Sequence, residues 1–89
     1  MINKIVEKIK FKNPDDARRF VGLMDSHIKC DVDISTDPNN NRSYDAKSIV
    51  GVWALDLSKE LYVSIVTYDK AVENEFKEIL RQWQEEHID

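Results

Sequence analysis

The residues that could do chemistry in this 89-residue chain are few: one cysteine, two histidines, a serine heading an apolar segment, and pairs of aspartates. Ser48 closes the polar approach Ser43-Tyr44-Asp45-Ala46-Lys47 and precedes Ile49-Val50-Gly51-Val52-Trp53-Ala54-Leu55, which stops at Asp56-Leu57-Ser58-Lys59. That pattern predicts a loop feeding one short helix, with Ser48 at its first turn. A serine there has two readings: a cap that accepts from a free helix N–H, or a hydroxyl that takes a phosphate. Asp15 and Asp16 are adjacent carboxylates, open in principle to an aspartyl-phosphate or a divalent metal, but no further ligand group accompanies them. They read as charges at a helix start in solvent, and no metal is expected. Asp31 and Asp33 share one side of a strand, as on a solvated sheet face. His27 and His87 both fall near helix ends and read as polar end residues, with His87 in a frayed last turn. Cys30 alternates with Val32 and Ile34 and reads as a buried small hydrophobe rather than a reactive thiol.

Composition limits what these groups could serve. With 42% hydrophobic and 34% charged residues, the chain is an ordinary globular one, enough for a single thin core and one domain over residues 1–89. A formal net charge of −4, with thirteen Lys and Arg scattered among seventeen Asp and Glu, offers no basic stripe for nucleic acid. No uncharged run is longer than Ser48 to Leu55, which is far too short for a bilayer, and the N-terminus has no signal-peptide core. A cytoplasmic protein without membrane contact is the expectation, and the single cysteine suits a reducing compartment. There is no glycine-rich phosphate loop, no Cys-His pairing and no Ser-His-Asp set, so neither an enzyme nor a cofactor is indicated.

The elements that must position these residues are legible as periods. Ile5, Ile9 and Phe11 hold one parity and Lys8, Lys10 and Lys12 the other, which predicts a half-buried strand. Asn13-Pro14-Asp15-Asp16 is a helix start, with Asn13 as cap and Pro14 in the first turn. The helix should run from Pro14 to His27, burying Ala17, Phe20, Val21, Met24 and Ile28, with Arg18, Arg19, Asp25 and Ser26 on its wet side. A second strand holds Cys30, Val32 and Ile34. Asp37-Pro38-Asn39-Asn40-Asn41 is a turn by composition, and a short third strand is expected near Arg42 to Asp45. After the central helix, Glu60 to Val66 is a fourth strand, with Leu61, Val63 and Ile65 inward and Tyr62, Ser64 and Val66 outward. Asp69 caps a last helix whose stripe is Val72, Phe76, Ile79, Leu80 and Trp83, ending near Glu86, with Glu73 and Lys77 on its solvated side. The order is β-α-β-β-α-β-α, an α+β domain with helices on one face of a largely antiparallel sheet.

That order, together with Ala46-Lys47-Ser48-Ile49-Val50-Gly51-Val52-Trp53-Ala54-Leu55, resembles HPr, the histidine-containing phosphocarrier of the bacterial sugar phosphotransferase system. The segment is similar to the Lys-Ser-Ile-Met-Gly-Val-Met-Ser-Leu of Gram-positive members. The resemblance implies an open-faced sandwich, four antiparallel strands with three helices on one face. It implies that Ser48 matches the target of an ATP-dependent seryl kinase. It also implies that Lys47, Ile49, Val50 and Trp53 lie where partners dock: phosphotransferase-system enzymes, HPr kinase or regulators of carbon metabolism. Trp53 has a second reading, turned into the core with Ile49 and Val52.

The sequence departs from the family at the phosphoacceptor. Where carriers have Gly-(Ile/Leu)-His-(Ala/Thr)-Arg-Pro, this chain has Lys12-Asn13-Pro14-Asp15-Asp16-Ala17-Arg18-Arg19, without histidine and with two carboxylates where a phosphoryl group needs positive potential. Asn13, Pro14, Asp15 and Asp16 therefore form a degenerate phosphoacceptor region. The resulting expectation is a non-enzymatic binding protein with a regulatable surface. Alternatives are a carrier using Asp15 or Asp16, and a structural module whose patch buries itself against a second copy as a homodimer.

Overall fold

Residues 3–39 and 42–88 are described by a computed structural model of the protein; Asn40 and Asn41 of the expected turn lie outside them. The first strand, β1 (Asn3–Ile9), alternates as its sequence dictates, Ile9 being buried and Lys4 and Lys8 exposed. Helix α1 (Pro14–His27) begins at the expected cap: Asn13 Oδ1 accepts from the Asp16 amide at 2.9 Å, and Pro14 takes the first position, where no N–H is missed. Strands β2 (Val32–Ser35) and β3 (Tyr44–Asp45) follow, the latter only two residues long. A short helix α2 (Ile49–Trp53) leads to β4 (Leu61–Thr67), and α3 (Lys70–Glu86) closes the chain, capped by Asp69, which accepts from the Ala71 amide at 2.9 Å.

The strands form one antiparallel sheet in the order β1-β4-β2-β3, so β4 and β2 are central and the edge strand β1 pairs with β4 although 51 or more residues separate them. One face carries the helices. Phe20, Met24, Ile28, Val32, Ile34, Leu61, Val63, Ile65, Phe76, Leu80 and Trp83 fuse into a single core there. Phe11, Phe20 and Trp83 pack edge-on or tilted with centroids 5.1 to 5.7 Å apart, the geometry that aromatic quadrupoles favour. Trp83 also donates Nε1 to the Lys10 carbonyl at 3.0 Å, and Gln84 donates to the Lys8 carbonyl at 2.8 Å, fastening α3 to the edge strand.

The other face is bare. Its residues fall in rows set by register: Lys4 beside Val66; Val6, Ser64, Asp33 and Asp45; Lys8, Tyr62 and Ser35. Two members depart from the expected outward exposure. Ser64 and Ser35 are buried, the first because flanking strands shield a small side chain at the sheet's centre, the second because its hydroxyl donates to the Arg42 carbonyl at 2.6 Å. Cys30 is half-buried rather than inside, at the rim of the core, and burial is the main influence pushing its thiol pKa up. Glu73 is not on a solvated side: it is buried, with Lys70, Lys77 and Asn3 all donating to its carboxylate at 2.7, 3.2 and 3.3 Å. Among the described residues no helix is long and apolar enough to cross a membrane.

Candidate functional site

Ser48 is the residue before α2, in extended backbone, with its Oγ accepting from the Gly51 amide at 3.3 Å. The turn that delivers it is built locally: the Ser48 amide donates to the Asp45 carbonyl at 3.1 Å and the Lys47 amide to Asp45 Oδ1 at 2.9 Å. Helix α2 then lies against β3 so closely that a Cβ on Gly51 would stand 3.3 Å from the Asp45 carbonyl oxygen. Five residues give this helix one buried anchor, Val52, with Ile49 packed beside the core, and that sends Val50 and Trp53 outward. Val50 is 75% exposed and Trp53 44%, so the core reading of Trp53 does not hold. Arg18 of α1 lays its guanidinium over the Trp53 ring at 4.9 Å, a cation–π contact that braces the indole without covering it. Lys47 and Ser48 are half-exposed at the rim, and Tyr44 is 40% exposed. The surface is apolar at its centre, ringed by a hydroxyl and two cations.

The Asn13-Pro14-Asp15-Asp16 region is built differently from what the sequence suggests. Asn13, Pro14 and Asp15 are exposed, but Asp16 turns inward and is buried. Its Oδ2 accepts from the Lys12 amide at 2.7 Å and meets His87 Nε2 at 2.8 Å, while Arg19 stands 3.8 Å from Oδ1. Burial raises the Asp16 pKa, but the Lys12 amide, His87 and Arg19 together outweigh it and hold the carboxyl below its ordinary value. The expected frayed end is therefore a buried anchor. His87 Nδ1 lies 2.8 Å from the Trp83 carbonyl and its ring stacks on the Trp83 indole at 4.6 Å. Both ring nitrogens are thus engaged by oxygen atoms. Around it, Lys12 Nζ donates to the Glu86 carbonyl at 3.0 Å and Arg19 to the Glu86 carboxylate at 2.7 Å, with Arg19 also 4.2 Å above the Trp83 ring. His27 stays at the surface, 3.4 Å from Glu75.

Two groups thus emerge. Lys47, Ser48, Ile49, Val50 and Trp53 lie on one short segment, joined by Arg18 from α1; the Asp16 region is tied instead to the end of α3. Among the described residues no three His, Cys, Asp or Glu side chains converge as a metal site. Sequence reasoning placed Arg18 only on a wet face and missed its stacking, and it read His87 as a frayed end residue where the structure buries it against Asp16. A signal existed for the latter, since 76, 80, 83 and 87 continue one helical stripe.

Comparison of the whole structure with solved proteins returns phosphocarriers. The phosphocarrier protein HPr from Bacillus anthracis str. Ames superposes with a TM-score of 0.66 at 15% identity, covering 91% of this chain and 98% of its own. HPr-C-His from Thermoanaerobacter tengcongensis superposes at 0.65 and 16% identity, covering 97% and 99%. The fold is that of HPr. The open-faced sandwich expected from the element order is thereby shown over nearly the full chain, with α2 between β3 and β4. By sequence, no protein-family model matches, and no significant match is found among curated proteins.

Proposed function

We propose that this HPr-fold protein works by binding another protein through the surface of α2, and that phosphorylation of Ser48 regulates that binding. The observation that carries the reading is the exposure of Val50 and Trp53 directly beside the Ser48 hydroxyl. An exposed indole braced by Arg18, flanked by an aliphatic side chain, is the kind of anchor on which interfaces concentrate their energy. In the modification, Ser48 Oγ attacks the γ-phosphoryl of ATP, its proton is lost and ADP leaves. The new ester adds nearly two negative charges next to Val50, Trp53 and Lys47, which changes partner choice more than fold. By resemblance, the partners are phosphotransferase-system enzymes or regulators of carbon metabolism, in the cytoplasm.

The Asp16 region supports a binder over a carrier. Asp16 is already engaged by the Lys12 amide and His87, and both His87 ring nitrogens are themselves held 2.8 Å from oxygen atoms, so neither is a ready phosphoryl acceptor. Asp15 is exposed and remains the acceptor in the alternative reading of a carrier. Intact mass after two incubations separates them, one with an HPr seryl kinase and ATP, the other with the phosphotransferase enzyme and phosphoenolpyruvate. One phosphate gained from the kinase, absent in Ser48→Ala, supports the regulated binder. A phosphate gained from phosphoenolpyruvate refutes it in favour of the carrier, and no phosphate from either removes the switch.

A further inference from the structure

The bare face of the sheet has an order that its monomer does not use. Along its edge strand it carries Lys4 and Lys8, with Lys10 just beyond; along the central β4, Val66, Ser64 and Tyr62; on the far side Asp33 and Asp45, with Asp31 just before β2. Charge is thus segregated by column, cationic on one flank, where Val6 sits among the lysines, and anionic on the other, with Val66, Ser64 and Tyr62 between. Val6 and Val66 are 40% and 48% exposed, neighbours on adjacent strands. Asp33 and Asp45 are direct cross-strand partners, a like-charge pair that deepens the negative potential of this flank. Among the described residues none of Lys4, Lys10, Asp31 and Asp33 has an ion-pair partner, and Lys8 has only Glu60 at 3.7 Å.

We propose that this face is a homodimer interface, in which a two-fold axis running along β4 sets Lys4 of one protomer against Asp31, at the entry to β2, of the other. The choice of occupant follows from symmetry. Rotation about an axis parallel to β4 exchanges the two flanks while preserving the rows, so Lys4 meets Asp31 of the second copy and Val6 comes over Asp33. Rotation about an axis across the strands would oppose lysines to lysines. Only a surface with opposite charge on its two flanks is complementary to itself in this way, and a C2 contact makes each such pair twice. Val66 and Tyr62 lie on the axis with the small Ser64 between them, where the interface is driest, and the charges form the rim. Strand spacing and rise give the face a plan area of about 440 Å². That is below the ~800 Å² per partner of a standard interface, so the dimer is a weak one that forms at high micromolar concentration. The proposal is independent of α2, which stays exposed in the dimer.

Sedimentation equilibrium over a concentration series up to roughly millimolar, at low and high salt, is the test. The expected result is a monomer–dimer equilibrium weakened by salt. Lys4→Glu and Asp31→Lys, both at exposed positions, should each weaken association roughly tenfold. Mixing the two variants should restore it as a heterodimer, because Glu at 4 then meets Lys at 31 and the native pair survives on the other side. The double variant Lys4→Glu/Asp31→Lys should dimerise by itself for the same reason. Circular dichroism of each variant checks that the fold is retained, and the double variant keeps the test decisive if one single variant fails to fold. A monomer at every concentration overturns the proposal, as does a dimer indifferent to both substitutions, or a mixture and double variant that both stay as weak as the single variants.

Discussion

Replacing Asp16 by asparagine should destabilise the protein by about 2–3 kcal/mol, although the change is isosteric and lies at a helix start where charge removal is ordinarily mild. The carboxylate accepts from the Lys12 amide and from His87 at 2.7 and 2.8 Å, and only 12% of its side chain meets water. Asparagine keeps one oxygen, so one N–H is still received; the charge-assisted bond to His87 is weakened or lost, and a buried donor is left without its anion. The figure is below the ~3–5 kcal/mol of removing one partner of a fully buried ion pair because the replacement is still polar. For a domain of this size it lowers Tm by about 10–20 °C. Thermal unfolding followed by circular dichroism reads the shift, and a cycle with His87→Gln should return a coupling of at least about 1 kcal/mol. Acid gives a second readout. The Asp16 carboxyl titrates below its ordinary value, so its stabilisation is complete above the unfolded value of about 3.9 and is lost as pH falls through the folded one. Wild type and variant should therefore start to converge only as pH falls below about 4 and meet only once it has passed below the folded value. A loss under about 0.5 kcal/mol at neutral pH, or additive effects in the cycle, would refute the buried-anchor account.

Other outcomes follow from the same structure. Gly22→Ala should stabilise by about 0.5–1 kcal/mol, since a Cβ there meets open space, whereas Gly51→Ala should destabilise because it presses on the Asp45 carbonyl; urea midpoints of both variants check the sign. Trp53→Ala should change stability by less than about 1 kcal/mol, while Trp83→Ala should cost about 3–5, since only Trp83 is buried with its Nε1 bonded; parallel melts decide. Lys70, Lys77 and Asn3 hold Glu73 down at about 2, so its stabilisation is present above the ordinary carboxylate range and lost as pH falls towards 2. Carbon-detected NMR titration should find its midpoint there, moving up in Lys70→Met/Lys77→Met.

Much of this fold can be read locally. Both long helices announce themselves by cap chemistry and stripe, because Asn13, Pro14 and Asp69 act within a few residues of where they stand. The α2 surface was legible too, since a five-residue helix with one buried valine has few ways to turn. What escaped depends on partners distant in sequence. Asp16 and His87 are 71 residues apart, and nothing adjacent to either says that the carboxylate is bound or the imidazole covered. Glu73 similarly looks like one side of an i,i+4 pair until Asn3, 70 residues away, closes over it. Burial of charge is a property of tertiary juxtaposition, whereas periodicity reports only on a residue's own element.

The fastening of α3 to β1 has a consequence for aggregation. β1 is an edge strand, and an edge with free carbonyls is a template on which a foreign strand can zip. Trp83 and Gln84 occupy the Lys10 and Lys8 carbonyls with side-chain donors, so the terminal part of that ladder is already spoken for. Extended-chain growth from this end would have to pull the indole out of the core first. The helix that completes the hydrophobic interior thereby also guards the border of the sheet, and a contact between copies is steered towards a closed, countable assembly instead of a fibre.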